Sequence, residues 1–72
     1  MNNEITKTEQ EVLNYIIRFK EVNGYSPTVR EIATGCYRSR TTIQPILERL
    51  QDKGYITRKE NAQRTIRVIK FI

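Results

Sequence analysis

Residues 28 to 50 read Thr28-Val29-Arg30-Glu31-Ile32-Ala33-Thr34-Gly35-Cys36-Tyr37-Arg38-Ser39-Arg40-Thr41-Thr42-Ile43-Gln44-Pro45-Ile46-Leu47-Glu48-Arg49-Leu50. Val29, Ile32 and Ala33 fall on one side of a short helical repeat, and Ile43, Ile46, Leu47 and Leu50 recur at i, i+3, i+4 and i+7. Thr28 and Glu31 stand at capping-box spacing, so the first helix starts there, and Gly35 is placed to end it after less than two turns. Cys36-Tyr37-Arg38-Ser39 supplies the turn. The stretch predicts two helices joined tightly, the second apolar inside and polar outside, which is the form that lets one helix enter a DNA major groove.

Upstream, Thr6-Lys7-Thr8-Glu9 and Thr8-Glu9-Gln10-Glu11 each offer a T-x-x-E start, with Thr6 the better cap. Val12, Leu13, Ile16, Ile17 and Phe19 make the packed face, Glu11, Asn14, Arg18 and Glu21 the wet one, and Asn23-Gly24 the stop. Tyr25-Ser26-Pro27 then keeps the backbone extended, because the residue before a proline avoids helical angles. Downstream, the helix bearing Ile43 to Leu50 starts near Ser39 or Thr41 and runs to about Lys53, with Gly54 ending it. Pro45 leaves two alternatives: a later start capped by Thr41 or Thr42, or a kink, since a proline in a helix interior costs about 3 kcal/mol. Tyr55-Ile56-Thr57-Arg58 and Thr65-Ile66-Arg67-Val68-Ile69 read as strands joined by a polar loop around Glu60-Asn61-Ala62-Gln63-Arg64. The fold class is α+β: three helices followed by a two-stranded β-hairpin.

The chain has 72 residues, enough for a single domain over 1–72 and too few for a deep cleft between lobes. One cysteine and no histidine exclude an internal disulfide, thiolate or imidazole zinc clusters and His-based acid–base catalysis, so no metal, cofactor or enzymatic activity is expected. Cys36 is read as a small buried apolar residue. Apolar runs such as Ile16-Ile17 are far too short for a signal peptide or a membrane span, which points to the cytoplasm. Net charge is +5 overall but uneven: −1 as far as Gly24 and +6 from Tyr25 onward. A polyanion is the partner such a field favours, although a basic small domain can also be merely well solvated.

On the outer face of the third helix, Ser39, Arg40, Thr41, Thr42 and Gln44 include no acid, and each can hydrogen-bond a base edge or a phosphate. Capping explains Ser and Thr at a helix start equally simply, and Arg is common on any solvated surface. In the hairpin, Arg58, Lys59, Arg64 and Arg67 are phosphate contacts or an arm into the minor groove; otherwise the hairpin is unengaged and only closes the core. Tyr25, Tyr37 and Tyr55 read as packing or backbone-phosphate residues, since they do not share one sheet face as a stacking platform does.

Gly24-Tyr25-Ser26-Pro27-Thr28-Val29-Arg30-Glu31-Ile32, then Ser39 to Leu50, then Lys53-Gly54-Tyr55-Ile56, together resemble the N-terminal winged helix-turn-helix domain of LexA-type SOS repressors. The resemblance runs from Ile5-Thr6 to the hairpin. It implies that the third helix reads an operator major groove, that the second helix and its cap touch phosphate, and that the hairpin is the wing. Carried over by position, it makes Ser39, Thr41, Thr42 and Gln44 base readers and places Thr28, Arg30, Arg40 and Lys53 near phosphate. Arg38, at the turn, joins that backbone set.

Three departures qualify the transfer. Between Ile32 and Ser39 the chain is one residue shorter, so the turn and the angle of the third helix should differ. Pro45 replaces a residue with a backbone N–H on the groove-facing side, so base specificity should differ from that of the SOS operator. These residues include no counterpart of the family's self-cleaving Ser/Lys protease domain, so damage-triggered autocleavage is not expected of them.

The leading expectation is a sequence-specific, double-stranded DNA-binding regulator, a repressor of bacterial, phage or mobile-element origin, with a recognition helix over about 40–53. It would act by occupancy, with no small-molecule substrate and no membrane. A monomer touches few base pairs, so dimerisation is predicted, either free or only on DNA. Ile69-Lys70-Phe71-Ile72 is an intersubunit contact or a last strand packed on its own core. The competing expectation is a protein-interaction module whose basic face docks an acidic partner.

Overall fold

The computed structural model describes residues 4–59 and 62–70. Three helices, α1 (Lys7–Asn23), α2 (Val29–Gly35) and α3 (Arg40–Asp52), precede two short strands, β1 (Ile56–Thr57) and β2 (Arg67–Val68). The strands are antiparallel, with Ile56 opposite Val68 and Thr57 opposite Arg67.

Each helix starts where a hydroxyl meets orphan backbone donors. Thr6 and Thr28 both form complete capping boxes, with Glu9 and Glu31 returning the bond to the cap N–H. Ser39 Oγ accepts from the Thr42 N–H at 3.2 Å. α1 ends at Gly24, whose φ of +83° needs no Cβ relief. The apolar stripes converge as their spacing requires: Val12, Leu13 and Ile16 of α1, Ile32 and Ala33 of α2, and Ile43, Ile46, Leu47 and Leu50 of α3 are buried. Tyr55, Ile56 and Ile66 close this core from the hairpin side. Ile17, Val29 and Cys36 are half-buried against it, so Cys36 is less enclosed than its sequence context suggests. Phe19 instead joins an aromatic row, 6.0 Å from Tyr15 and 5.8 Å from Tyr25 between ring centroids.

Two details differ from expectation. With Ser39 as cap, α3 begins at Arg40, and the later start proposed for Pro45 does not occur. Pro45 lies inside the helix and is exposed. Having no N–H, it leaves the Thr41 carbonyl without its i+4 donor, on a face where water can reach it. α2 does end at Gly35, after seven residues, but Gly35 is its last helical residue rather than a left-handed stop, and a Cβ there would overlap the ring of Tyr15. The left-handed residue is Tyr37, at φ 59°, one position beyond the Cys36 cap.

The strands are also shorter than the β-branched runs suggest. Toward the tip, the Lys59 N–H turns to Thr65 Oγ1 at 3.0 Å, and Arg64 adopts φ 59°, so regular pairing stops after Thr57. At the other end, both the Ile69 and Lys70 N–H groups donate to the Tyr55 carbonyl, at 2.9 and 3.3 Å. Ile69 is 57% exposed. Glu60 and Asn61 of the expected loop, and Phe71 and Ile72 of the expected C-terminal contact, lie outside the described residues.

Candidate nucleic-acid interface

The outer face of α3 is held in place from behind. Glu9, with none of its surface exposed, accepts from Lys53 Nζ at 2.6 Å, from Arg49 Nε at 2.8 Å and from the Thr6 N–H at 3.1 Å. Burial alone raises the carboxyl pKa, but the hydrogen bonds from Lys53, Thr6 and Arg49 outweigh it and hold the group at about 2. Lys53 Nζ also donates to the Glu4 carbonyl at 2.7 Å. The C-terminal half of α3 is thereby fastened to the start of α1, and the ammonium of Lys53 is spent inside the fold.

In front, α2's N-terminus, the exposed side of α3 and the hairpin enclose an open groove of about 1000 Å³. Of the residues singled out from the sequence, Thr28 and Arg30 line it from α2, and Arg40 and Gln44 from α3. Arg58, Lys59 and Arg64 line it from the hairpin. Ser39, Thr41 and Thr42 are exposed at the N-terminal tip of α3 but are not part of that lining. Their hydroxyls bond one another, Ser39 Oγ lying 2.9 Å from Thr41 Oγ1 and 3.0 Å from Thr42 Oγ1. Arg38 and Lys53 are also outside the groove, and Arg38 pairs with Glu11 at 3.3 Å.

The cations of the groove divide into engaged and free. Arg64 forms a two-pronged pair with Glu31, Nη1 to Oε1 and Nη2 to Oε2 each at 3.0 Å. Its Nη1 also donates to the Ser26 carbonyl at 3.1 Å, and its guanidinium lies 4.7 Å from the centre of the Tyr25 ring. This pairing, with the Thr28 N–H, holds the Glu31 carboxyl below the usual carboxylate range. Ser26 Oγ in turn donates to the Ile66 carbonyl at 2.6 Å, so the hairpin is stapled to the segment before α2. Arg58 reaches back to α3, Nη1 to Gln44 Oε1 at 3.1 Å and Nε to Gln51 Oε1 at 3.2 Å. Arg30, Arg40 and the Lys59 ammonium have no hydrogen-bond or ion-pair partner among the described residues.

Five polar or charged lining residues were not among the candidate DNA contacts read from the sequence: Glu31, Glu48, Gln51, Gln63 and Thr65. Glu48 and Gln51 follow Gln44 by four and seven positions, so helical spacing alone puts them on its face. Glu31 is masked by its capping role. Among the described residues, no three His, Cys, Asp or Glu side chains gather as a metal site, and no helix is long and apolar enough to cross a membrane.

Three helices, the last presenting a polar face beside a two-stranded hairpin, define a winged helix-turn-helix domain. The chain belongs to the LexA DNA binding domain family, whose model matches residues 2–65. It is 45% identical over 60 residues to the LexA repressor of Moorella thermoacetica, covering 81% of this chain and 29% of that protein. It is 39% identical over 67 residues to the LexA repressor of Staphylococcus aureus, covering 92% of this chain and 32% of that protein. The chain thus spans about a third of the length of these relatives.

Proposed function

We propose that this chain binds double-stranded DNA sequence-specifically and serves as a transcriptional repressor by occupancy, without a catalytic step. The observation that carries the reading is the groove itself: an exposed, polar helix face lined by cations, three of which, Arg30, Arg40 and the Lys59 ammonium, have no partner among the described residues. That the relatives are LexA repressors supports the same direction.

In this reading the N-terminal half of α3 enters the major groove. Ser39, Thr41, Thr42 and Gln44 face base edges, and Arg40 lies between bases and backbone. Arg30 and Lys59, whose head groups have no partner among the described residues, take phosphates on either side, and the Thr28 end of α2 approaches the same strand. Arg58 and Arg64 keep their internal partners and offer remaining N–H groups outward. Arg38 and Lys53 act from behind, through Glu11 and Glu9. Two copies bind one repeated or palindromic site, because a single recognition helix covers too few base pairs for an operator.

Selection of bound duplexes from a random pool, followed by titration against random DNA, tests this. A preferred duplex bound on the order of 10³-fold tighter than random duplex is the expected result. Equal binding of all duplexes, with tight binding to an acidic protein, would assign the groove to protein docking instead.

A further inference from the structure

Arg58 touches both of the exposed, neutral α3 side chains in the groove that carry a donor and an acceptor, and Gln44 is the one nearer the start of the helix. Arg58 Nη1 donates to Gln44 Oε1 at 3.1 Å while Nε donates to Gln51 Oε1 at 3.2 Å. A guanidinium has donors only, so the amide oxygen of Gln44, not its nitrogen, must face Arg58 whichever way the side chain is drawn. The NH₂ group has no hydrogen-bond partner among the described residues and remains available as a donor in the groove. Gln51, one helical repeat further along the same face, fixes the guanidinium plane from its other edge.

We propose that Arg58 is a positioning residue that sets the specificity of Gln44, turning an ambidextrous amide into a hydrogen-bond donor toward the base pair it meets. This rests on the reading that Gln44 reaches a base edge. A free glutamine can pair with adenine through oxygen and nitrogen together, accept from a cytosine amino group, or donate to guanine or thymine. With its oxygen turned toward a charged donor, the first two options are disfavoured, since they must share that oxygen's second lone pair and a charge-assisted bond is the stronger competitor. Gln44 then selects the acceptor edges of the major groove: N7 and O6 of guanine, or O4 of thymine. Its side chain is also ordered before DNA arrives, so less rotamer freedom is lost on binding.

The test compares wild type, Gln44→Ala, Arg58→Lys and Gln51→Ala by duplex selection, then by the affinity ratio between the preferred duplex and one changed at a single pair. The ratio cancels any phosphate contact, because such a contact weakens both duplexes alike. Gln44→Ala identifies the pair that Gln44 reads, expected to present guanine or thymine to it. Arg58→Lys keeps the charge but cannot hold two amides in one plane. It should lower discrimination at that pair about tenfold, admit adenine or cytosine there, and leave the ratios at other pairs unchanged. Gln51→Ala should give a smaller loss at the same pair. Should Gln44→Ala leave every preference intact, the base-reading role falls and the inference with it. If Gln44→Ala abolishes one preference while Arg58→Lys retains it, or Arg58→Lys erodes all pairs equally, the positioning role alone is overturned.

Discussion

Glu9 and Lys53 meet at 2.6 Å across 44 residues of chain, with Arg49 closing on the second carboxylate oxygen at 2.8 Å. The contact joins the first turn of α1 to the end of α3, so the carboxylate that completes a helix cap also fixes where the recognition helix lies. One residue serves both purposes because the capping-box position, N3, is also the inward-facing start of the α1 stripe that continues through Val12, Leu13 and Ile16.

Stability should therefore fall in mild acid. Glu9 has its pKa lowered from 4.5 to about 2, so between those values the unfolded chain binds the extra proton. The contribution is fully present above about pH 5 and is lost as pH drops toward 2. Glu31, held down by Arg64, adds to the same slope. Denaturant unfolding across this range should show the loss, and Glu9→Gln should flatten it while costing about 2 kcal/mol at neutral pH, less than a fully buried pair because Arg49 reaches solvent. An unchanged slope in the variant would remove Glu9 from this role.

Gly35 is required for space. A Cβ there would overlap the Tyr15 ring, which is itself packed against Phe19. Gly35→Ala should destabilise by about 2 kcal/mol through overpacking, despite alanine's better helix propensity. In a Tyr15→Leu background the same change should cost little or even help. Equal costs in the two backgrounds, measured by thermal unfolding, would show that the ring is not the obstacle.

The elements were legible in the sequence where one local rule acted alone. The helix starts at Thr6 and Thr28 follow from side chains three residues away, and the core of α3 from a single apolar period. What was not legible depended on partners far along the chain. Lys53 is placed near phosphate by the resemblance, and nothing in the sequence signals that its ammonium meets Glu9, 44 residues away. At Gly35 the sequence marks the end of the helix but not the close approach of Tyr15, which lies on another helix. Pro45 invites a later helix start because propensity counts only the lost bond, whereas Ile43, Ile46, Leu47 and Leu50 packed in one core outweigh it. Of the site residues, the cations were visible as charges, but sequence cannot divide Arg58 and Arg64, tied to amides and a carboxylate, from Arg30 and Lys59, whose head groups have no partner among the described residues.

Arg64 illustrates what that division predicts. Arg64→Ala removes a cation from the groove and also releases the Glu31 carboxylate into it. Affinity for every duplex should drop by about tenfold, and adding Glu31→Gln should recover part of the loss by deleting the exposed charge. Salt titrations of the single and double variants check this. A double variant weaker than Arg64→Ala alone would mean that the Glu31 carboxylate does not oppose DNA.

Glu48 is the acid that the groove carries on α3 itself, exposed and without a hydrogen-bond or ion-pair partner among the described residues. Two roles are open to a carboxylate there, and they predict opposite results. If it only faces phosphate, Glu48→Gln removes repulsion and should raise affinity about threefold for preferred and random duplexes alike. If it accepts from a cytosine amino group, the same change should weaken the preferred duplex selectively. Glu48 lies one turn beyond Gln44 on the same face, further from the α3 N-terminus that inserts first, so a uniform gain is expected. A selective loss in duplex titrations would make Glu48 a base reader and extend the specificity surface along α3 toward Gln51.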